Sequence, residues 1–379
     1  MKIAVLTLSL HANYGGTLQA FALMTALNDL GHEAFYLDRE RHKTATWNIP
    51  FELCKRVFQK FVLRKSGVGL RWGVLDAKER GEVAKFHRPF ISRHIQPRTQ
   101  EFLTSAQLAR GIGKYGFDAI VVGSDQVWRA DYVAANLSDY FCGFLPASNT
   151  RTRRVAYAAS FGTDEWEFTD SQTDLCRPLA KRFHAIAVRE DSGVKLCRDH
   201  LGVEAEHVID PTMLLEPSRY LALLPDSRKK YSGILVYLLD DNREKLKVVD
   251  AIAAHLQLPV VRINKGSQGD PSSRKSAPPI EDWLAGFRDA DFVITDSFHG
   301  SVFSILFNKP FVAYGNAKRG MARFTSLLRM FGLEDRLVTT PDHLDPAQLA
   351  KPLDWTTPNA VLKAQRAKAR DFLQRALLG

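Results

Sequence analysis

Short apolar runs alternate with helical patterns along the first half of the chain. An apolar run at 2–8 is followed by a loop, a helical pattern over 17–30 and a second apolar run at 33–37. This succession predicts a βαβ unit with parallel strands. Further runs predict strands at 117–122, 154–158, 185–188 and 207–209, and helices at 171–183 and 193–200.

A second series of the same kind begins after 215–230, where prolines and a basic run interrupt the pattern. It predicts strands at 234–238, 259–263, 292–295 and 310–313, and helices at 244–256, 280–288, 301–307 and 359–377. We therefore expect an α/β protein with two doubly wound, Rossmann-like domains that face a cleft. The domains are 1–220, with a helical insert at about 40–100, and 221–345, and a helical tail covers 346–379.

The charge balance favours anionic partners without choosing among them. The chain has 52 Lys+Arg against 42 Asp+Glu, a formal net charge of +10. Such an excess suits nucleic acid, an anionic membrane surface or a phosphorylated substrate. Because the sequence has neither a basic stripe interleaved with aromatic residues nor zinc-finger spacing, we expect no nucleic-acid partner.

The cysteines, the histidines and the apolar segments exclude several classes of protein. Four cysteines without a CxxC pair indicate reduced thiols, and histidines without ligand spacing predict no metal site. The sequence has no run of about 20 apolar residues that could span a bilayer. The N-terminal run is typical of a buried strand rather than a signal peptide. We expect a cytoplasmic protein that at most touches the inner membrane surface.

The strongest candidate site is the segment 296–301, between an apolar strand and an apolar helix. The free N–H groups and the dipole of a helix start attract anions. His299 can donate a hydrogen bond or transfer a proton near neutral pH. The alternative is that Ser297 only caps the helix and His299 packs against the other domain. The candidate residues are Asp296, Ser297, His299, Gly300 and Ser301.

Arg189 directly follows the strand predicted at 185–188. A guanidinium group can bind phosphate or carboxylate through two parallel hydrogen bonds. A surface ion pair with Glu190 or Asp191 is the alternative. Five basic residues of the second domain could add positive charge around its loops: Arg262, Lys265, Lys318, Arg319 and Arg323.

Two loops of the first domain combine polar and aromatic groups that suit a sugar. The alternatives are a tight glycine turn in the first loop, and an Asp-capped helix with Trp128 in the core in the second. The segment Asp210-Pro211-Thr212 is expected to end a strand and start a turn. The candidate acceptor residues are Asn13, Tyr14, Gly15, Ser124, Asp125, Gln126 and Trp128.

Six segments in order resemble the polysaccharide pyruvyl transferase family. They are 13–20, 122–128, 156–162, 188–193, 210–212 and 295–300. The resemblance implies a fold like that of GT-B glycosyltransferases, with the acceptor on the first domain and the donor anion on the second. It also implies transfer of pyruvate from phosphoenolpyruvate to two hydroxyls of one sugar, which forms a cyclic ketal and releases phosphate. Phosphoenolpyruvate is then a co-substrate, and no cofactor is expected.

By this resemblance, Arg189 holds the phosphate or carboxylate of the donor, and His299 lies against it with Ser297 and Gly300 beside it. The reaction needs a proton on the enol methylene carbon and a base near the hydroxyls. His299 is the candidate acid, and Asp296 or Asp125 the candidate base. The acceptor is a sugar in a polysaccharide or its precursor, for which a lipid-diphosphate-linked oligosaccharide is one form.

Two other functions stay open from the sequence. The first is a GT-B-type glycosyltransferase that uses a nucleotide-sugar donor. The second is a non-catalytic anion-binding partner in polysaccharide assembly. Thermal protection by phosphoenolpyruvate but not by a nucleoside diphosphate would favour the pyruvyl transferase over the first.

Overall fold

A computed structural model of the chain describes residues 1–10, 13–40, 85–225, 231–240, 242–263, 278–315 and 320–378. The first domain contains a sheet whose six described strands follow the order β2-β1-β3-β4-β5-β6 and are all parallel. They are β1 (Lys2–Leu6), β2 (Glu33–Tyr36), β3 (Ala119–Val122), β4 (Arg153–Ala159), β5 (Ala185–Val188) and β6 (Glu206–His207).

The second domain contains a parallel sheet whose five described strands follow the order β11-β10-β9-β7-β8. They are β7 (Ile234–Tyr237), β8 (Val260–Arg262), β9 (Phe292–Thr295), β10 (Phe311–Tyr314) and β11 (Leu337–Val338). In β3, β7, β9 and β10 every residue is buried. Because helices cover both faces of such sheets, these strands appear in the sequence as continuous apolar runs.

The α-helices lie between the strands, and several of them, but not all, follow the patterns in the sequence. In the first domain they are Tyr14–Asp29, 85–94, Ser105–Gly111, Ala130–Val133, Asp170–Ala180, Asp191–Leu196 and Pro217–Leu221. The second half of the chain contains Arg243–Leu256, Ile280–Asp289, Phe298–Leu306, Ala322–Phe331, Pro346–Leu349 and Thr356–Leu378. The predicted fold class, two doubly wound α/β domains, is confirmed.

Local signals in the sequence set several helix ends. The Thr169 hydroxyl accepts a hydrogen bond from the Gln172 backbone N–H. The Thr169 backbone N–H in turn donates to Gln172 Oε1, and the two bonds form a capping box. The Asn242 side chain accepts a hydrogen bond from the Lys245 backbone N–H at 2.8 Å. Each such cap is worth about 1 kcal/mol. These caps fix where the helices begin.

Parts of the predicted organisation lie outside the described residues. Of the predicted insert at 40–100, the structure describes only residue 40 and residues 85–100, which include the helix 85–94. The basic residues Lys265, Lys318 and Arg319 also lie outside the described residues. No helix in the described ranges is both long enough and apolar enough to cross a bilayer.

The C-terminal helix Thr356–Leu378 returns to the first domain. The Arg366 guanidinium donates to the backbone carbonyls of Met213, at 2.9 Å, and Leu215, at 3.0 Å. The Phe372 ring lies 6.2 Å from that of Tyr157 on β4. The tail thus ties the end of the chain to the domain in which it begins.

Tight contacts join the two domains. The Tyr14 ring stacks on Trp283, with centroids 5.4 Å apart, and its hydroxyl donates to the Pro278 carbonyl at 2.6 Å. Gly320 has a φ of +92°, and a Cβ there would lie 1.7 Å from the Gly162 carbonyl oxygen. Only glycine fits this contact. The domain faces that carry the candidate residues therefore lie directly against each other.

Candidate active site

The polar motifs of both domains lie at the carboxyl ends of parallel strands. The strand order reverses between β1 and β3 in the first sheet, and between β7 and β9 in the second. Ligands of doubly wound sheets bind at such switch points. The loops that follow β1, β3, β5 and β9 carry the candidate residues and meet at the domain interface.

Arg189, directly after β5, is buried between the domains with 1% of its side chain exposed. Its Nη1 donates to Asp210 Oδ2 at 2.9 Å, and its Nη2 lies 3.6 Å from Asp125 Oδ1. The guanidinium carbon lies 4.4 Å from the centre of the Phe298 ring, which belongs to the second domain. The guanidinium cation of Arg189 thus lies against the Phe298 ring, with Asp125 and Asp210 beside it.

Asp210 joins the two residues that the sequence placed at the donor. Its Oδ2 accepts from Arg189 and from Ser124 Oγ, at 3.2 Å, and lies 3.6 Å from His299 Nε2. Its Oδ1 caps the turn by accepting from the Thr212 N–H and hydroxyl. Burial raises the pKa of Asp210, but His299 and Arg189 outweigh it and hold this pKa below its usual range. The carboxylate is therefore a stable anion that lies between Arg189 and His299.

His299 lies in the first turn of the helix Phe298–Leu306, and its side chain faces the first domain. A Cβ on Gly15 would lie 2.0 Å from His299 Nδ1, so the imidazole packs on the bare backbone of the helix Tyr14–Asp29. This contact turns Nε2 toward Asp210. A glycine of one domain thus sets the position of the histidine of the other.

Three buried nitrogen atoms of this cluster have no hydrogen-bond partner among the described residues. They are Nε and Nη2 of Arg189 and Nε2 of His299. Buried polar atoms are nearly always hydrogen-bonded, because leaving one unpaired costs about 1–3 kcal/mol. Two of these atoms carry a fixed positive charge. All three atoms can therefore donate to an acceptor group that enters the cluster.

The loop after β3 supplies a second carboxylate. Asp125 has a φ of +66°, an uncommon conformation for a residue other than glycine. Its Oδ2 accepts from Asn13 Nδ2 at 3.2 Å, and its Oδ1 faces Arg189. The backbone of Ser124 is held by Gln19 Oε1, at 2.9 Å, and by the Thr7 hydroxyl, at 2.9 Å. Asn13, Ser124 and Asp125 thus join the cluster.

Two predicted acceptor residues belong to the core instead. Trp128 is fully buried, stacks on Phe141 with centroids 4.8 Å apart, and donates to the Tyr140 carbonyl. It offers no face to a sugar. The Tyr14 ring stacks on Trp283 and its hydroxyl donates to the Pro278 carbonyl, so Tyr14 belongs to the domain interface. The sequence pattern does not show this burial, because it depends on contacts with residues that are distant in sequence.

Gln126 belongs neither to the core nor to the cluster around Arg189. Its Oε1 accepts from Arg129 Nη1 at 2.9 Å, and a Cβ on Gly162 would lie 2.2 Å from the same oxygen. It lies beside the cluster and supports the loop that holds Asp125.

Asp296, predicted as a catalytic base, is the partner of a buried lysine. Its Oδ2 accepts from Lys245 Nζ at 2.5 Å, and Oδ1 accepts from the Leu239 N–H at 2.6 Å. Its side chain is 0% exposed. This carboxylate ties β9 to the loop after β7 and leaves no oxygen for a substrate. The role predicted for it is wrong on these contacts.

We expect Asp296→Asn to lower the free energy of unfolding by about 3–5 kcal/mol, because it leaves the Lys245 ammonium buried without its counter-ion. Urea denaturation measures this change. Asp29→Asn is the control, since the ion pair of Asp29 with Arg219 is about half exposed and such pairs contribute about 0–1 kcal/mol. Unchanged stability with loss of turnover would instead restore Asp296 as a base.

The other predicted donor residues act within their own helix. Ser297 caps it by accepting from the Gly300 N–H at 3.4 Å, and Ser301 Oγ donates to the Ser297 carbonyl. A Cβ on Gly300 would lie 2.2 Å from Thr295 Oγ1, so glycine is needed for helix–strand packing. These contacts orient the helix start that presents His299.

The structure adds two residues to the cluster, besides Asp210, for which the sequence suggested no specific role. Glu190 is buried, accepts a short hydrogen bond from Ser160, and lies 3.6 Å from Arg189 Nε. Burial raises the pKa of Glu190 in spite of Arg189 and Ser160. Arg323 packs near the same Phe298 ring. From the sequence, Glu190 was an ion-pair alternative for Arg189, and Arg323 was one of five basic residues around the loops of the second domain.

Two cavities open at the opposite end of the first sheet. They measure about 300 and 210 Å³ and share His184 and Ala185, before and at the start of β5. Strand polarity separates them from the cluster around Arg189. No group of three candidate metal ligands occurs in the described part of the chain.

The fold and the cluster together define a two-domain α/β protein with a cluster of buried charged side chains between its domains. The chain is similar in structure to Methanocaldococcus jannaschii UDP-GlcNAc 2-epimerase in complex with UDP-GlcNAc and UDP. That match has a TM-score of 0.54 and 10% identity, over 98% of this chain and 99% of that chain. Arabidopsis thaliana UGT89C1 complexed with UDP-L-rhamnose matches with a TM-score of 0.51 and 12% identity, over 99% and 98%. The predicted GT-B-like architecture is confirmed.

A family model places the chain more narrowly. The polysaccharide pyruvyl transferase model matches residues 13–318. The chain belongs to the polysaccharide pyruvyl transferase family, and its general activity is polysaccharide pyruvylation. No curated protein matches the sequence significantly.

Proposed function

We propose that this protein transfers pyruvate from phosphoenolpyruvate to two hydroxyls of one sugar in a polysaccharide or its precursor, forming a cyclic ketal. The observation that carries the proposal is the meeting of Arg189 and His299 at Asp210, with unpaired donor nitrogens on both. Phosphoenolpyruvate offers the phosphate and carboxylate oxygens that such donors bind.

In this mechanism Arg189 binds an anionic group of the donor. Asp210 keeps Arg189 and His299 next to each other, since its Oδ2 faces both side chains. His299 donates a proton to the methylene carbon of the enol, which makes C2 electrophilic. The first sugar hydroxyl adds to C2 and the second displaces phosphate. Both hydroxyl protons leave, one returning to His299 and one to the base. The charge that develops on the departing phosphate is stabilised by the guanidinium.

Asp125 is the proposed base, since Asp296 is committed to Lys245. Asp125 adjoins Arg189 on one side and Asn13 on the other. Asn13, Gly15 and Ser124 line the part of the first domain next to it, so the acceptor hydroxyls approach from that side. A lipid-diphosphate-linked acceptor and a contact with the membrane surface stay predictions.

Donor binding requires the domains to move apart. Arg189 and His299 are 1% and 7% exposed, with Gly15 against His299 and Gly320 against Gly162. Opening along these glycine contacts admits the donor, and closure excludes water from the reacting groups.

The test combines binding with turnover. We expect phosphoenolpyruvate to raise the melting temperature while UDP and GDP do not, because a ligand at 100 times its Kd stabilises by about 2.7 kcal/mol. Phosphate should be released only when oligosaccharides with free hydroxyl pairs are added, and mass spectrometry should detect the ketal. Protection by UDP or GDP alone would favour a nucleotide-sugar transferase, and binding without turnover a non-catalytic partner.

A further inference from the structure

Each nitrogen atom of the Arg189 guanidinium faces a different buried carboxylate. Nη1 donates to Asp210 at 2.9 Å, whereas Nη2 lies 3.6 Å from Asp125 and Nε lies 3.6 Å from Glu190. The four side chains are at most 5% exposed. An anion that binds Arg189 therefore enters a site that three carboxylates already line.

A further negative charge in this site is costly while all three carboxylates are ionised. Like charges repel strongly in a medium of low dielectric constant. When anionic groups share a buried site, the pKa of one carboxyl group rises, and that group binds a proton. We therefore expect one of the three carboxylates to become neutral when an anion binds.

Glu190 is the carboxylate with a free position for that proton. Its Oε2 is buried and has no hydrogen-bond partner among the described residues. In Asp125, by contrast, Oδ2 accepts a hydrogen bond from Asn13 and Oδ1 accepts one from the Gln126 N–H. Both oxygens of Asp210 also accept hydrogen bonds. A proton on Glu190 Oε2 would displace none of these contacts.

Charged groups of both domains act on Glu190. Arg189 precedes it at the end of β5, and Arg323 approaches it from the helix Ala322–Phe331 of the second domain. Burial raises the pKa of Glu190, and Arg189, the Ser160 hydroxyl and Arg323 lower this pKa by less. The surroundings of Glu190 thus favour its neutral form more than water does, before any anion is present.

We propose that Glu190 binds the donor as a neutral acid. A proton from the solvent adds to Oε2 as the donor anion enters, and the new O–H group donates a hydrogen bond to an oxygen of that anion. The proton removes one negative charge from the site and gives the unpaired oxygen a partner. This inference rests on the proposed function and adds to it the proton that accompanies donor binding.

Proton uptake at Glu190 makes the affinity for the donor depend on pH. Below the pKa that Glu190 has in the free protein, the acid is already neutral, and donor binding adds no proton to it. Above that pKa, each bound donor takes up about one proton at Glu190. The Kd of phosphoenolpyruvate then rises about tenfold per pH unit from this group.

The test is calorimetric titration of the full chain with phosphoenolpyruvate between about pH 5 and pH 9. Buffers that differ in ionisation enthalpy report the number of protons taken up. Glu190→Gln keeps the size of the side chain and is neutral at every pH. At the alkaline end it should take up about one proton fewer per donor than the wild type, and its Kd should rise about tenfold less per pH unit. Protons bound by His299 or by the ligand cancel, because both proteins share them.

Glu165→Gln is the matched control, because Glu165 is exposed on the loop after β4. Its proton uptake and its Kd should equal those of the wild type at each pH. If Glu190 only supports the structure, Glu190→Gln should weaken binding by the same factor at every pH and leave the proton uptake unchanged. That result overturns the inference.

Ser160→Ala serves if the glutamine variant does not fold. It removes the hydrogen bond that stabilises the ionised form of Glu190. The pH above which the Kd begins to rise should therefore increase by about one unit, and an unchanged pH dependence would contradict the inference. If the wild type binds phosphoenolpyruvate without proton uptake at Glu190, the inference falls and the proposed function stands. If the wild type does not bind phosphoenolpyruvate at all, both fall.

Discussion

Replacement of Arg189 by lysine is expected to lower kcat/KM for phosphoenolpyruvate by about 10²- to 10³-fold, the loss seen when one preorganised donor to a developing negative charge is removed. Lysine keeps the positive charge but cannot present two parallel N–H groups. In this structure Nη1 of Arg189 holds Asp210, whereas Nε and Nη2 make no hydrogen bond and lie 3.6 Å from the carboxylates of Glu190 and Asp125. Steady-state phosphate release measures the change.

Arg182→Lys is the matched control for this substitution. Arg182 is another arginine of the first domain, and its guanidinium donates to the carbonyls of Leu145 and Pro146, at the opposite end of the sheet from Arg189. Its kinetic constants should match those of the wild type. Wild-type kcat/KM in a folded Arg189→Lys variant would remove Arg189 from the donor site.

Gly15→Ala is expected to lower kcat about 10²-fold, because the added Cβ would lie 2.0 Å from His299 Nδ1. The imidazole must shift, and a misplacement of about 1 Å in a catalytic group can cost this much. Since His299 and not the donor anion contacts Gly15, KM for phosphoenolpyruvate should change less than kcat. The same overpacking should destabilise the closed domains by about 1–3 kcal/mol.

Gly113→Ala provides the matched substitution, since nothing lies within 4 Å of a Cβ there. Its rate should equal that of the wild type. A Gly15→Ala protein with wild-type kcat would mean that His299 either tolerates displacement or takes no part in proton transfer.

The sheets could be predicted because their central strands are buried on both faces. Runs such as Ala119–Val122 and Phe292–Thr295 are apolar at every position, and this pattern is local. The strand Leu337–Val338 has only two residues and gives no periodic signal. The helix Ala322–Phe331 was missed because Arg323 and its basic neighbours resemble a charged loop, and only contact with Phe298 in the folded chain buries that arginine.

The site could be predicted in outline but not in its pairings. Strand-end placement identified Arg189 and His299, and the structure brings both to one carboxylate. That carboxylate, Asp210, caps a turn as expected, yet its second oxygen faces groups distant in sequence. Asp296 shows the converse, since the lysine that neutralises it lies 51 residues earlier. A sequence pattern shows which polar side chains a loop contains. Contacts between residues distant in sequence decide which of their carboxylate oxygens are left without a protein partner.

The most direct test is a crystal structure of the protein with phosphoenolpyruvate bound. We predict that an anionic group of the donor accepts hydrogen bonds from Arg189 Nε or Nη2 and from His299 Nε2 at once, with the methylene carbon on the His299 side. Phosphoenolpyruvate held elsewhere, or by only one domain with Arg189 and His299 still unpaired, would contradict the shared anion site.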